Sequence, residues 1–285
     1  MALFFFIKDH SINGVELPPN LVVIAACNPA RTRSLTLGGS LRECDLGKEF
    51  FSGHYQVFEM PPAMCILKWS YGSLDREQEK EFIYRRIKML NHCIPTQLQT
   101  SLSTLVSVCH ETIRVFAAEH IYNRLLELFP NTATKEDAQE RAKAMVSLRD
   151  IQRVFSLFEF FMSDTGKHCI YGSPNYHRVM LLTVALVYYI RLDSSFRRKL
   201  LEKIESIQDD TALKEDLKED GLLGILENSM DLVVKEASIP AGIALTNGLK
   251  ENIFTTLVCT LSRTPLMIIG PPGTSKVSYS RVNYF

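Results

Sequence analysis

The chain has 285 residues, 46% of them apolar and 22% charged, with 32 basic residues balanced by 32 acidic ones. That length and composition support a packed core in one large or two smaller domains. The even charge balance removes any electrostatic case for nucleic acid or an anionic membrane surface as the main partner.

Seven cysteines, at positions 27, 44, 65, 93, 109, 169 and 259, are dispersed without a C-x-x-C pair. A structural zinc site needs paired thiolates a few residues apart, so zinc is not expected in this chain. An odd, scattered set in apolar surroundings reads as reduced core cysteines and a cytoplasmic location. The apolar run near the N-terminus, Leu3 to Ile7, is five residues long and lacks a basic flank, which makes a poor signal peptide. The longest other apolar run, Val179 to Ile190, is interrupted by Thr183 and falls short of the roughly twenty residues of a bilayer span.

In chain order, Leu21-Val22-Val23-Ile24-Ala25-Ala26-Cys27 is apolar on both faces and bounded by Pro18-Pro19 and Asn28-Pro29, as a central strand of a covered parallel sheet would be. Its neighbours are not in the sequence that precedes it, so exposed apolar surface and poor solubility are expected. A second short strand is expected at Tyr55–Met60, with polar loop and a short helix between the two. From Leu74 onward the pattern is helical. Asp75 with Gln78 makes a helix start, and Ile83, Ile87 and Leu90 follow at helical spacing. Leu98, Leu102, Leu105, Cys109, Ile113 and Phe116 trace one face of a long second helix that ends at Phe129-Pro130-Asn131. A charged segment, Lys135 to Lys143, leads into a third amphipathic helix carrying Leu148, Ile151, Val154, Phe155, Phe158 and Met162. After Gly172-Ser173-Pro174 come an almost wholly apolar helix and further helices near 196–207 and 213–236. Near Ile239-Pro240 this part ends. One more helix, Leu249 to Leu261, precedes a final strand at Leu266–Ile269.

That strand runs into Gly270-Pro271-Pro272-Gly273-Thr274-Ser275-Lys276, a glycine-rich, lysine-tipped loop of the kind that cradles nucleotide phosphates. Against the strict pattern G-x-x-x-x-G-K-[ST], Ser275 replaces a glycine and Val277 replaces the hydroxyl residue that ligands magnesium. Nine residues follow the lysine, so the nucleotide domain that this loop would open is expected to be truncated. Asn28 sits at the carboxyl end of the first strand, where ligands bind in open α/β sheets, although strand-end Asn-Pro is also an ordinary turn. Arg149, in Ser147-Leu148-Arg149-Asp150, could reach a nucleotide phosphate from a helical domain, or could be a surface charge paired to Asp150 or Glu140. No metal-hydrolase or nucleophile-elbow motif is present.

The order of these elements is that of the second half of one AAA+ module followed by the opening of another. Three blocks carry a closer resemblance: Glu16 to Pro29, Met60-Pro61-Pro62-Ala63-Met64 with Leu67 to Leu74, and Ile268 to Lys276. In these the chain resembles the mysterin family of giant RING-finger AAA+ ubiquitin ligases, including the serine before the loop lysine. The resemblance spans residues 9 to 276. It implies a mainly α fold with a small α/β part: a remnant of an AAA+ core over 1–72, a helical lid bundle over 73–238 and the truncated start of the next module over 239–285. It further implies Asn28 as a sensor 1-like residue, Arg149 as a sensor 2-like residue, and Gly270 to Lys276 as the phosphate loop. For the parent it implies ATP with Mg2+, neighbouring AAA+ modules as partners, and ubiquitin transfer. The chain itself is expected to be an inactive portion of such a ligase. A non-catalytic helical interaction module, or a piece of a dynein- or midasin-type motor, stands as the alternative.

Overall fold

The computed structural model describes residues 11–12, 15–16, 18–21, 69, 72 and 74–268, except 91–93, 129, 132, 208–220 and 240–242. The strands expected at Leu21–Cys27, beyond Leu21 itself, and at Tyr55–Met60, the segment between them, and the phosphate loop expected at Gly270–Lys276 lie outside the described residues. The chain divides into two compact units, Met1–Ser73 and Leu74–Phe285.

In the first unit, β1 (Ser11–Ile12) pairs antiparallel with β2 (Val15–Glu16), in the register Ser11 opposite Glu16 and Ile12 opposite Val15. The two residues between them are Asn13-Gly14, the dipeptide best suited to a two-residue hairpin connection.

The second unit is a helical bundle. Its first helix, α1 (Arg76–Lys88), opens on a capping box in which the Asp75 carboxylate accepts from the Gln78 N–H at 2.8 Å and Gln78 Oε1 accepts from the Asp75 N–H at 3.0 Å. The long α2 (Thr96–Leu128) is the bundle's spine, and Leu102, Leu105, Val106, Cys109 and Ile113 on one side of it are buried. Both α1 and α3 (Lys135–Met145) pack on α2. The segment expected as a charged lead-in is thus a helix of its own. Thr134 caps it, accepting from the Asp137 N–H, and Ala138 and Ala142 give it a narrow apolar edge that seats on α2. Val146 then breaks the path, and α4 (Leu148–Met162) starts afresh.

Helix α4 buries Ile151, Val154, Phe155, Leu157, Phe158 and Phe161, an i, i+3, i+4, i+7 stripe that brings three phenylalanine rings into the core. A short turn, α5 (Asp164–Lys167), follows. A Cβ on Gly166 would lie 2.0 Å from the Phe160 carbonyl oxygen, so only glycine fits this close return of the backbone. Helix α6 (Tyr176–Val184) packs on α4 and is buried on nearly every side. It runs straight into a π-helical turn, Ala185–Tyr189, closed by the Ile190 N–H to the Ala185 carbonyl at 3.0 Å. The wider turn places three consecutive side chains, Val187, Tyr188 and Tyr189, inside the bundle, which a regular α-helical turn would spread over a wider arc.

Three helices complete the unit: α7 (Ser194–Glu205) on α2, and α8 (Gly221–Glu236) against both α6 and α9 (Asn247–Leu261). Ion pairs tie them in. Arg197 of α7 grips Glu251 of α9 bidentately at 2.7 and 3.0 Å, and Lys250 reaches Asp231 of α8 at 2.6 Å. Leu266–Ile268 forms no strand, contrary to expectation. Strand structure requires a ladder partner, and no described residue supplies one. Among the described residues no helix is long and apolar enough to cross a membrane. Cys109 and Cys169 are buried free thiols, and burial pushes both thiol pKa values up, that of Cys169 to about 11.

Candidate functional site

Of the residues singled out from the sequence, Asn28 and Gly270, Pro271, Pro272, Gly273, Thr274, Ser275 and Lys276 lie outside the described residues. Arg149 is placed. It occupies the second position of α4, its side chain exposed, its N–H donating to the Ser147 hydroxyl at 3.4 Å.

The motif around Arg149 has a structural cause. Ser147 is the N-cap of α4, and Asp150 turns back to accept from the Ser147 N–H at 2.9 Å, so Ser-x-x-Asp is a capping box. The Asp150 carboxylate is almost fully buried, and two arginines neutralise it: Arg153 one turn on and Arg191 from beyond the π turn, each at 3.2 Å. Asp150 thereby pairs with these two rather than with Arg149. Among the described residues Arg149 has no ion-pair partner. The first turn of α4 is held from inside the bundle while Arg149 points outward.

Behind this turn lies a buried polar network. Arg114 of α2 meets Glu79 of α1 bidentately, at 2.6 and 3.0 Å, with both side chains less than one-fifth exposed. The same guanidinium donates to the Val146 carbonyl at 3.1 Å and to His110 Nε2 at 3.0 Å. A guanidinium only donates, so Nε2 must accept and the imidazole proton is assigned to Nδ1. Nδ1–H then donates to the Tyr188 hydroxyl at 2.9 Å. Burial pushes the His110 pKa down to about 4, with the Arg114 charge adding to the shift. Burial also raises Tyr188 well above the ordinary phenol range, so both rings are neutral in the folded chain. The Arg191 guanidinium lies 5.4 Å from the Tyr188 ring centroid and joins this network to Asp150.

None of Asp150, Arg191, His110, Tyr188, Arg114 and Glu79 was singled out from the sequence as functional. Only the Ser147–Asp150 spacing was a readable signal. Of the rest, His110 and Arg114 are one turn apart on α2, and the other pairs are separated by 35 to 78 residues.

Residues 242–282 match the family model described as the RNF213 AAA domain, a stretch that includes α9 and Gly270 to Lys276. The wider chain is similar to three curated E3 ubiquitin-protein ligases: rnf213-beta of Danio rerio, 25% identical over 295 residues, and RNF213 of Mus musculus and of Homo sapiens, 23% and 24% identical. Each alignment covers 94% of this chain and 5% of the relative. The expected similarity to E3 ubiquitin-protein ligases is therefore found across nearly the whole sequence, and the chain spans about one-twentieth of the length of the curated relatives it matches. No solved structure matches it.

Proposed function

We propose that the chain is a portion of a tandem AAA+ ATPase and E3 ubiquitin-protein ligase of the mysterin type, lying across the junction of two AAA+ modules. The observation that carries this is the similarity to such ligases over 94% of the chain, with an AAA-domain match on 242–282 that includes Gly270 to Lys276. In this reading residues 73–238 are the lid of one module, after a remnant of its core over 1–72 and before the truncated start of the next over 239–285. Asn28 is its sensor 1-like residue and Arg149 its sensor 2-like residue, while Gly270 to Lys276 begin the phosphate loop of the next. The fixed start of α4 supports the assignment of Arg149, since a residue that senses a phosphate must be held at a constant distance from it.

In the parent, ATP with Mg2+ is the cofactor pair. The loop backbone and Lys276 would hold phosphate oxygens, and Arg149 would add positive charge from the lid. Val277 offers no oxygen to the metal. The chain by itself is therefore proposed to be inactive, with ubiquitin transfer belonging to the parent, neighbouring AAA+ modules as its partners, and the cytoplasm as its location.

The purified chain is expected to release no phosphate from ATP and Mg2+ above a buffer blank. Turnover that Lys276→Ala abolishes would contradict inactivity. A second reading, a helical interaction module, draws on the buried core that the Leu74–Ile268 bundle forms among its own helices. A cooperative melt indifferent to nucleotide would favour it.

A further inference from the structure

Helices α1 and α3 both pack on α2, yet they leave a strip of it uncovered between them. Val115, Ala118 and Tyr122 lie along that strip at the i, i+3, i+7 spacing of one helix face. Val115 is 56% exposed although its neighbours Ile113 and Phe116 are buried. The strip floors a cleft of about 800 Å3, with Leu74 and Ile83 on the α1 side and Ala138 on the α3 side.

The charges of the walls say what kind of occupant fits. Five basic side chains line the cleft: Arg76, Lys80, Arg114, Lys135 and Lys143. Three acidic ones do, and two of these are already engaged, Glu79 by Arg114 and Glu111 by Arg76. Glu119 remains against Lys135 and Lys143. The Lys80 ammonium is shared with an exposed carboxylate, Glu77. Lys135 sits 5.8 Å from the Tyr122 ring centroid, a contact that leaves its charge uncompensated. On α3, Lys135 and Lys143 are eight residues apart, about 12 Å along the helix, and Arg76 and Lys80 are one turn apart on the opposite wall. Positive charge without an ion-pair partner among the described residues therefore lies along the α3 side of an apolar floor, at Lys135 and Lys143, while Arg76 and Lys80 on the α1 side are held by Glu111 and Glu77. A compact anion would meet only one end of it. An elongated ligand with an apolar face and acidic flanks would meet all of it.

We propose that this cleft docks an amphipathic helix whose apolar face is flanked by glutamate or aspartate, supplied by a partner polypeptide. Recognition is helix-in-groove: apolar anchors seat on Val115, Ala118 and Tyr122, and the flanking carboxylates meet Lys135 and Lys143 of α3. The groove is independent of the nucleotide reading and does not require it.

The test uses the full chain and a fluorescein-labelled synthetic helix of about 20 residues with a leucine face and glutamate flanks, beside a copy with lysine flanks. Fluorescence anisotropy is expected to show micromolar binding of the glutamate peptide, weakened by added salt, and binding of the lysine peptide at least about tenfold weaker. Val115→Asp is expected to weaken the glutamate peptide by a similar factor. So is the Lys135→Glu/Lys143→Glu pair, whose side chains are exposed and whose folding is checked by its melting curve. Equal binding of the two peptides, binding of neither at about 100 μM, or variants that bind like the parent chain would each overturn the proposal. So would a concentration-dependent dimer that Val115→Asp dissociates, which would make a second copy the occupant.

Discussion

Replacing Arg114 with methionine is expected to cost the folded chain about 3–5 kcal/mol, the range for breaking a buried ion pair from one side. Arg114 satisfies three groups at once: the Glu79 carboxylate, the Val146 carbonyl and His110 Nε2. Its removal leaves a carboxylate that is only 15% exposed without either donor. The loss would reach two helix junctions, because Val146 links α3 to α4 and Glu79 belongs to the first turn of α1. Urea denaturation with an unchanged slope would read the effect as stability alone. The double replacement Glu79→Met/Arg114→Met removes the stranded charge and should recover a large share of the loss. Arg85→Ala, which breaks the exposed pair to Glu81, sets the comparison at about 0–0.5 kcal/mol. If Arg114→Met cost no more than Arg85→Ala, the network would not be holding the bundle.

Acid is expected to weaken the chain earlier than its carboxylates alone would. His110 has its folded-state pKa lowered to about 4 from an ordinary 6.5. The unfolded chain takes up a proton below about pH 6.5 while the folded chain refuses it until about pH 4. The stabilisation is thus fully present above pH 6.5 and is lost as pH falls from there toward 4. At about 1.4 kcal/mol per unit, the shift from 6.5 to about 4 amounts to roughly 3 kcal/mol. Arg114 and Arg191 oppose the extra proton, and Glu79 and Asp150 favour it, so the sign follows from burial first and Arg114 second. His110→Gln keeps an acceptor for Arg114 and does not titrate. Its stability should fall by about 3 kcal/mol less than that of the parent chain between pH 7 and pH 4. Parallel pH profiles for the two would show that His110 is already protonated or exposed in the folded state.

Local signals in the sequence were legible where one turn decides the structure. Asp75 with Gln78 opens α1, and the apolar stripes of α2 and α4 are the faces that the bundle buries. The hairpin at Ser11–Glu16 had an equally local signal in Asn13-Gly14 but was not among the expected elements. Helix α3 was hidden because its apolar edge is two alanines within a charged run, too small to register as an amphipathic face. The π turn was hidden for a different reason. Val184 to Tyr189 is apolar all round, so its periodicity carries no phase. At the candidate site, Ser147 and Asp150 were within reach as a capping box, and Arg149 stood out only through the order of AAA+ elements. The Glu79–Arg114–His110–Tyr188 chain could not be read, because nothing local to any of these residues says which distant partner it meets.

Sequencing the transcript that encodes this chain through both flanks tests the central claim most directly. The account predicts coding sequence upstream for a phosphate loop and an acidic Walker B strand, and downstream for the remaining sheet of a second AAA+ module. Flanks that encode neither would contradict it.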